Sequence, residues 1–357
     1  MSVEEIVIGL MGLFAALGAL DRIFGNRLGL GKEFEEGILS MGSLAMAMLG
    51  IISLAPVLAA VLKPVVVPVF SFLGADPAMF AGSVLACDMG GGPLAMELTD
   101  NREAALLGGI LTGSMLGATL VFTLPVAMGI LREEDRPAMA KGILCGIVTI
   151  PVGIFVGGIT AGFSIGMVLR NLIPIVLIGA LIALGLWRAE DAMVRGFAAF
   201  GKGVVAVVTV GLGAAILEEL TGITLIPGMA PLSEGFRTVG AIAIVLAGAF
   251  PLVSLLTKLL RRPLMALGGR LGIGDTGAAG LIASLANSIA TLNLVKDMNY
   301  RGKVVNIAFA VSGAFVFGDH LGFTAGFAPE MLAPMIMGKL AGGVTAIAAA
   351  MWITKEP

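Results

Sequence analysis

The sequence has few charged residues, two cysteines and a single histidine. Charged residues make up 13% of the 357 residues and the net charge is −2, which argues against nucleic acid as a partner. Cys87 and Cys145 lie in apolar segments and have no metal-ligand spacing, so we expect neither a disulfide nor a metal site. The chain also lacks a G-x-x-x-x-G-K-[ST] loop, which excludes direct coupling to ATP within the chain, and we expect no cofactor.

Apolar residues are abundant instead: they make up 58% of the chain, and the mean hydropathy is +1.03. A soluble domain does not need that much apolar surface, so the composition predicts an all-α polytopic membrane protein. The N-terminal segment, residues 1–5, is acidic, and no small-residue cleavage site follows it. This favours a first membrane helix over a signal peptide. The uncharged runs predict about 10 transmembrane helices in a single domain, residues 1–357.

Residues 87–93, Cys-Asp-Met-Gly-Gly-Gly-Pro, place a carboxylate and a run of glycines inside an apolar segment. An acidic side chain near the centre of a bilayer costs roughly 2.5–3.5 kcal/mol on insertion scales. Glycines followed by proline disfavour an intact helix. The stretch therefore predicts a broken or re-entrant membrane helix with Asp88, Gly90 and Gly91 at the break. The alternative is that Asp88 only caps one half-helix.

The second half of the chain resembles the first. Asp275 follows Asp76 by 199 positions, and Arg301 follows Arg102 by the same interval. This register predicts internal repeats at about residues 34–131 and 233–330, joined by connecting helices at 141–220. At this offset Asn287 of the second repeat corresponds to Asp88 of the first. The alternative is a chance match in a chain rich in glycine and alanine.

Basic residues are concentrated in segments 21–36, 188–202 and 258–270, which we expect to be cytoplasmic loops. Segment 221–236 has no lysine or arginine and should face outward. The two repeats would then have inverted topology, an arrangement in which secondary transporters bind substrate between broken helices. The basic-proline steps Lys63-Pro64 and Arg262-Pro263 are expected to end their membrane spans.

A second candidate cluster is Asp319-His320, which follows a long uncharged run. In a functional interpretation Asp319 is a cation ligand and His320 a hydrogen-bonding or proton-carrying partner beside it. The alternative places both side chains in solvent at the end of a helix. The position of Asp319 and His320 in the sequence fits both interpretations equally well.

Several motifs resemble those of the ethanolamine transporters of the ethanolamine-utilisation (EutH) family, and the similarity runs nearly end to end. The motifs are Phe34-Glu35-Glu36-Gly37, Met41-Gly42-Ser43-Leu44-Ala45, Leu54-Ala55-Pro56-Val57-Leu58, Ala78-Met79-Phe80-Ala81-Gly82, Ala86-Cys87-Asp88-Met89-Gly90-Gly91 and Phe317-Gly318-Asp319-His320-Leu321-Gly322-Phe323. The resemblance implies uptake of ethanolamine across the bacterial cytoplasmic (inner) membrane, supplying a pathway that begins with an ammonia-lyase. Gly92-Pro93 stands where larger apolar residues are expected in the family.

Ethanolamine is a primary amine and is protonated at neutral pH, as a lysine side chain is. Asp88 would supply the negative charge that binds the ammonium, and the backbone carbonyls of residues 89–92 would supply further oxygen ligands. Asn287, from the other repeat, can both donate to and accept from the hydroxyl. The expected partners are ethanolamine and the lipid bilayer, and the sequence leaves a homodimer open.

Three classes of function fit these residues. The first is a secondary transporter or facilitator for ethanolamine, or for another small amine, and not an enzyme. The second is an intramembrane hydrolase that uses Asp88 and Asp319 as an aspartyl pair. The third is a membrane anchor or sensor, a role that intramembrane acids do not favour.

Overall fold

Apolar helices make up most of the described chain, residues 3–354 of a computed structural model, and no strand occurs among these residues. The α-helices are, in chain order, α1 (Val3–Ile23), α2 (Leu30–Phe72), α3 (Ala78–Val84), α4 (Gly91–Leu98), α5 (Arg102–Leu106), α6 (Leu124–Ile130), α7 (Arg136–Thr160), α8 (Ile165–Thr221), α9 (Leu232–Leu271), α10 (Gly274–Ala286), α11 (Ser288–Leu294), α12 (Tyr300–Gly313), α13 (Asp319–Phe327) and α14 (Leu332–Ile353). Two π-helical segments, Leu107–Gly117 and Thr119–Thr123, join α5 to α6. Short 3₁₀ turns lie at Cys87–Met89, Glu133–Asp135, Val295–Asp297 and Pro329–Met331.

Within residues 3–354, eight helical stretches are long and apolar enough to cross a bilayer. They are Glu5–Ile23, Leu30–Phe72, Arg102–Ile130, Glu133–Thr160, Ile165–Ala189, Asp191–Thr221, Leu232–Leu259 and Pro329–Ile353. The prediction of an all-α polytopic membrane protein is confirmed. The expected number of spans and the inverted repeats stay predictions.

Helices α2 and α9 are longer than the sequence predicts. α2 has 43 residues and runs through Lys63-Pro64, and α9 has 40 residues and runs through Arg262-Pro263. The predicted breaks at these two steps are therefore wrong. A proline removes one helical hydrogen bond, but in a membrane helix the flanking bonds and packed neighbours keep the backbone helical.

The two long helices pack against each other and run antiparallel. Lys258 Nζ, late in α9, donates a hydrogen bond of 3.4 Å to the carbonyl of Leu28, just before α2 begins. At the opposite end, the N–H of Ala230, just before α9 begins, donates a bond of 2.9 Å to the carbonyl of Ser53 in α2. Each helix therefore begins beside the later part of the other.

Segments 188–202 and 258–270, predicted as loops, are helical. The first lies within the 57-residue helix α8, where Ala189 marks a kink with non-helical dihedrals (φ −148°, ψ 52°). The second forms the last part of α9. Basic residues such as Arg195 and Arg261 are exposed. Arginine and lysine are good helix formers that can extend away from an apolar surface, so a basic run does not end a helix.

The backbone between α3 and α4 is not α-helical. Leu85 is extended (φ −127°, ψ 143°), and Gly90 is left-handed (φ 101°), a conformation that glycine adopts without steric cost. The carbonyl of Ala86 accepts from the N–H groups of Met89 and Gly91 at 3.0 and 2.8 Å. The short turn that carries Asp88 therefore keeps hydrogen bonds of its own.

The π-helical segment Leu107–Gly117 packs against α3 and the Asp88 turn, and all 11 of its residues are buried. π-helices are rare and often occur at functional sites. Gly113 faces the backbone of Cys87, and Gly117 faces the carbonyl of Leu85. The uncharged sequence here predicts one long helix, either tilted or kinked at Pro125, and gives no sign of the wider helical turn.

We expect Gly117→Ala to lower the thermal unfolding midpoint of the protein in detergent. A Cβ at residue 117 would overlap the Leu85 carbonyl, and overpacking of a buried site costs about 1–3 kcal/mol. Gly129→Ala is the matched control, because Gly129 lies in α6 with open space around its Cβ direction. Equal midpoints for the two variants would contradict this packing.

Candidate functional site

The Asp88 turn borders a cavity of about 220 Å³, here called the central cavity. Its walls come from α2, the turn before α4, the π-helical segments and the start of α13. The lining residues are Ser43, Leu44, Ala47, Ala86, Asp88, Met89, Ala118, Phe122, Phe315, Asp319 and His320. Three of the predicted site residues, Asp88, Asp319 and His320, thus lie on one cavity. Those three are also its only ionisable lining groups among the described residues.

The carboxylate of Asp88 is nearly buried, with 15% of the side-chain surface exposed. Its nearest ionisable partner is His320, whose Nε2 lies 3.8 Å from Asp88 Oδ1. The thiol of Cys87 points its S–H toward the same oxygen at 4.0 Å. Among the described residues, no lysine or arginine nitrogen lies within ion-pair distance of Asp88. The carboxylate therefore has capacity for a cationic ligand.

His320 is buried, with 3% of its surface exposed. Its ring centroid lies 5.1 Å from that of Phe315, and its Nδ1 is buried with no hydrogen-bond partner. The predicted side-chain pair of Asp319 and His320 does not form, since His320 turns toward Asp88. Consecutive residues of a helix point in different directions, and this prevents neighbours in α13 from facing each other.

Gly90 and Gly91 shape the turn but do not line the central cavity. The carbonyl of Gly90 accepts from the N–H of Leu94 at 3.0 Å, and Gly91 begins α4. These bonds do not favour the prediction that the carbonyls of residues 89–92 bind the substrate, because from Gly90 onward the carbonyls accept hydrogen bonds within α4. A side chain at Gly90 would overlap Ile51 of α2, so this position requires glycine.

A second cavity of about 410 Å³, here called the acidic vestibule, adjoins the first at Asp319. Its lining residues are Glu33, Glu36, Phe250, Val253, Ser254, Thr257, Lys258, Ala286, Asn287, Phe317 and Asp319. Asp319 is the one residue that lines both cavities. The order of carboxylates, from Glu33 and Glu36 through Asp319 to Asp88, provides a series of negative charges toward the buried site.

Asn287 lies in the acidic vestibule and not in the central cavity. Its side-chain oxygen accepts from the N–H of Ile289 at 2.7 Å and caps α11. The prediction that Asn287 binds the substrate hydroxyl stays a prediction, and in this structure its side chain lines the adjoining cavity. Asparagine is a favoured N-cap residue, and this local bond accounts for its place between two short helices.

Lys339 is a buried residue that the sequence reasoning missed. It is 1% exposed and is the one ionisable residue of α14. Its Nζ donates a hydrogen bond of 2.5 Å to the carbonyl of Ser114 in the π-helical segment that packs against the Asp88 turn. A lone lysine in an apolar run is the same signal that singles out Asp88, and it was available in the sequence.

Donor atoms of Cys87, Asp88 and His320 lie within 4.8 Å of one another, which is close enough to hold a metal ion. The expectation that the chain has no metal site stays a prediction.

The fold and the site define a multi-pass membrane protein with a charged cavity buried between its helices, as expected for a solute permease. The profile of the family described as "Ethanolamine utilisation protein, EutH" matches residues 3–353. The chain belongs to this family.

Named relatives agree with this assignment. The chain is 57% identical to "Probable ethanolamine permease EutH" of Listeria monocytogenes, covering 100% of this chain and 95% of that protein. It is 52% identical to "Uncharacterized protein YxeR" of Bacillus subtilis, over 99% and 96%. It is 44% identical to "Probable ethanolamine permease EutH" of Salmonella typhimurium, over 100% and 97%. No solved structure matches the chain. The Listeria and Salmonella names describe permeases and not enzymes, so the intramembrane hydrolase is set aside.

We expect Asn287→Ala to lower the thermal unfolding midpoint, because loss of an N-cap costs about 0.5–2 kcal/mol. Asn287→Ser retains a capping oxygen and is the matched control. A serine variant as unstable as the alanine variant would show that Asn287 acts through something other than the cap.

Proposed function

We propose that the protein carries ethanolamine, as the ethanolammonium cation, into the cytoplasm across the bacterial inner membrane, where it supplies ethanolamine catabolism. The observation that carries the proposal is a nearly buried carboxylate with no lysine or arginine of the described residues in ion-pair contact, on a small cavity between membrane helices. The names of the relatives support the identity of the substrate.

The charge of the substrate matches the site. A primary amine of the lysine type has a pKa of about 10, so ethanolamine is a cation at neutral pH. Asp88 can bind the ammonium by a charge-assisted hydrogen bond. The central cavity, at about 220 Å³, excludes large solutes. The walls formed by Phe122 and Phe315, whose rings contact edge to face at 5.5 Å, close the apolar side.

The hydroxyl of ethanolamine needs a second polar partner, and His320 is placed to supply it. Its side chain lines the central cavity, and its Nε2 lies 3.8 Å from Asp88 Oδ1. An imidazole can donate or accept a hydrogen bond. One small molecule with an ammonium at one end and a hydroxyl at the other can therefore contact both residues. A plain alkyl amine would leave the histidine unpaired, which gives the site a means of selection.

The acidic vestibule is the proposed passage between the central cavity and the cytoplasm, because Glu33, Glu36 and Lys258 belong to segments that are expected to be cytoplasmic. Carboxylates of Glu33 and Glu36 lie along it, and Asp319 stands where the two cavities adjoin. Acidic walls attract cations, so they would favour movement of the substrate cation from the central cavity into this passage. In this proposal Asp319 has the role of a passage residue, and Asp88 is the binding residue.

Two inverted repeats would place this site at the centre of a transport cycle. Gly248 of α9 packs on Met11 of α1, and Gly50 of α2 packs on Val208 of α8. With the offset of 199 residues, Met11 corresponds to residue 210 and Gly248 to residue 49. These two positions are close to Val208 and Gly50, which form the second contact. The interruptions at Leu85 and Asn287 also fall in corresponding elements. These matched contacts and the antiparallel α2 and α9 support the repeats.

We expect Asp88→Asn to lower uptake of labelled ethanolamine into proteoliposomes about tenfold or more at low substrate, because it removes the charge that binds the ammonium. Glu97→Gln is the matched control: Glu97 is an exposed acid near the far end of α4, the helix that follows the turn. Wild-type uptake kinetics in Asp88→Asn, with normal expression, would rule out this role.

The inverted repeats predict that Leu28 and Leu225 face opposite sides of the membrane. Both are exposed, at 65% and 59%. Native Cys87 and Cys145 are buried, which keeps background labelling low. In right-side-out vesicles an impermeant maleimide should label Leu225→Cys and spare Leu28→Cys until the membrane is opened. Labelling of both variants from outside would mean that the repeats are parallel or absent.

A further inference from the structure

The chain between α12 and α13 has a backbone conformation that is unfavourable for its sequence. Residues 314–318 are not helical, and all of them except Phe317 are buried. Phe315 has a left-handed backbone, with a φ of 62°, where a glycine would be free of steric conflict. A bulky residue keeps such a conformation only where its surroundings impose it, and such positions are concentrated at binding sites and switch regions.

The end of α10 holds this segment in place. The N–H of Phe315 donates a hydrogen bond of 3.0 Å to the carbonyl of Ser284. The N–H of Phe317 donates one of 2.9 Å to the carbonyl of Leu285. Both acceptors lie just before the interruption between α10 and α11, so the non-helical segment pairs with the broken end of a neighbouring helix.

Two aromatic rings of the segment line different cavities. Phe315 lines the central cavity, where its ring centroid lies 5.5 Å from that of Phe122 and 5.1 Å from that of His320. Phe317 lines the acidic vestibule. The segment therefore lies between the two cavities, which meet at Asp319. A solute that passes from the central cavity to the vestibule has to displace it.

The corresponding stretch of the first predicted repeat is helical. With the offset of 199 residues, the segment corresponds to residues 115–119, which lie in the helical run between α5 and α6. In that run Gly117 packs on the carbonyl of Leu85. Ser284, which accepts the bond from Phe315, is the counterpart of Leu85. The same position is therefore wound in one repeat and unwound in the other.

Winding of residues 314–318 into a helix would have opposing effects. It would end the two hydrogen bonds to α10 and the contact between the rings of Phe315 and His320. It would also relieve the left-handed backbone and supply helical hydrogen bonds instead, so these N–H groups would have partners inside the protein in either arrangement. Segments with two such arrangements serve as hinges and gates.

We propose that residues 314–318 form the gate between the central cavity and the acidic vestibule. The gate is closed in this structure, and it opens when the segment leaves Ser284 and Leu285 and winds into a helix that joins α12 to α13. Phe315 is the hinge, and its ring closes the central cavity. The inference rests on the proposed function for what passes the gate, which is ethanolammonium on its way to the cytoplasm. The gate itself can be measured without substrate.

The first test uses Gly318→Ala. In the closed gate a Cβ at residue 318 would overlap the carbonyl of Ala286, so the variant should favour the open gate. Access is measured at Ala118→Cys, a buried position on the central cavity, with a cationic methanethiosulfonate reagent added to inside-out vesicles. Labelling should be about tenfold faster with Gly318→Ala than without it, as expected for a population shift of that size.

Gly240→Ala is the matched control, because Gly240 lies in α9 with open space around its Cβ direction. It should label at the rate of the parent. Labelling of the native cysteines, Cys87 and Cys145, is measured on each protein without Ala118→Cys and subtracted. A folded Gly318→Ala that labels no faster than the parent overturns the inference.

The second test locks the gate. Phe317→Cys and Ala286→Cys lie on the vestibule, on the two sides of the hydrogen bond from residue 317 to Leu285. A short bifunctional methanethiosulfonate should join them and lower ethanolamine uptake about tenfold or more, and a reductant should restore uptake. A monofunctional reagent on the same double variant occupies the vestibule without joining the segments and is the control. Full uptake by the cross-linked protein, or an equal loss with the monofunctional reagent, overturns the inference.

The outcomes distinguish the gate from the proposed function. If the wild type takes up ethanolamine but Gly318→Ala labels like the parent, the gate is rejected and transport stands. If the wild type does not take up ethanolamine, the proposed function is rejected, and labelling of Ala118→Cys still decides on the gate because it needs no substrate. If Gly318→Ala does not fold, the cross-link decides.

Discussion

Within a bilayer, every backbone N–H and C=O must find a partner inside the protein, and the arrangement around Asp88 depends on how this is achieved. The carbonyl of Ala86 accepts from two N–H groups across the turn, and Leu85 N–H returns to the carbonyl of Ala81. The π-helical segment then covers the turn with glycines, which permit close contact between backbones. Because the backbone is satisfied in this way, an extended residue and a left-handed glycine can exist in an apolar interior. The carboxylate is held on that irregular turn.

The same constraint explains which charges are brought together. Asp88, Asp319 and His320 come from two separate parts of the chain and line one cavity. A charge would be costly alone in this environment. The imidazole of His320 lies beside the carboxylate of Asp88, and Lys339 is held by the carbonyl of Ser114 in the π-helical segment that packs against the Asp88 turn.

The sequence predicted the parts of this structure that composition controls. Asp88 and His320 stand out because polar residues are rare in apolar runs, and the structure brings them to one cavity. Lys339 is also a rare charged residue in an apolar run, but it lies in an unbroken helix. A prediction that looks for charges beside helix-breaking residues therefore does not find it. Asn287 was assigned to the site from the repeat register, yet short-range capping determines its side-chain position. The sequence cannot show such a choice between a local and a distant partner.

Helix ends were predicted less well because they depend on tertiary contacts. A proline after a basic residue predicts the end of a helix, but α2 and α9 continue through Lys63-Pro64 and Arg262-Pro263 and pack against each other. The π-helical turns were missed for a different reason. A segment that is apolar on every side has no hydrophobic face, so its sequence holds no periodicity from which a wider turn could be recognised.

The length of α2 has a consequence for the surrounding lipid. At about 1.5 Å per residue a helix of 43 residues is about 65 Å long, twice the thickness of the hydrocarbon layer, about 30 Å. Its later part is nevertheless apolar and exposed, as Val61 and Phe72 show with 69% and 90% of their surfaces uncovered. Such a surface is stable in acyl chains and not in water. A helix of this length is longer than the apolar layer is thick, so α2 has to be strongly tilted or extend beyond that layer.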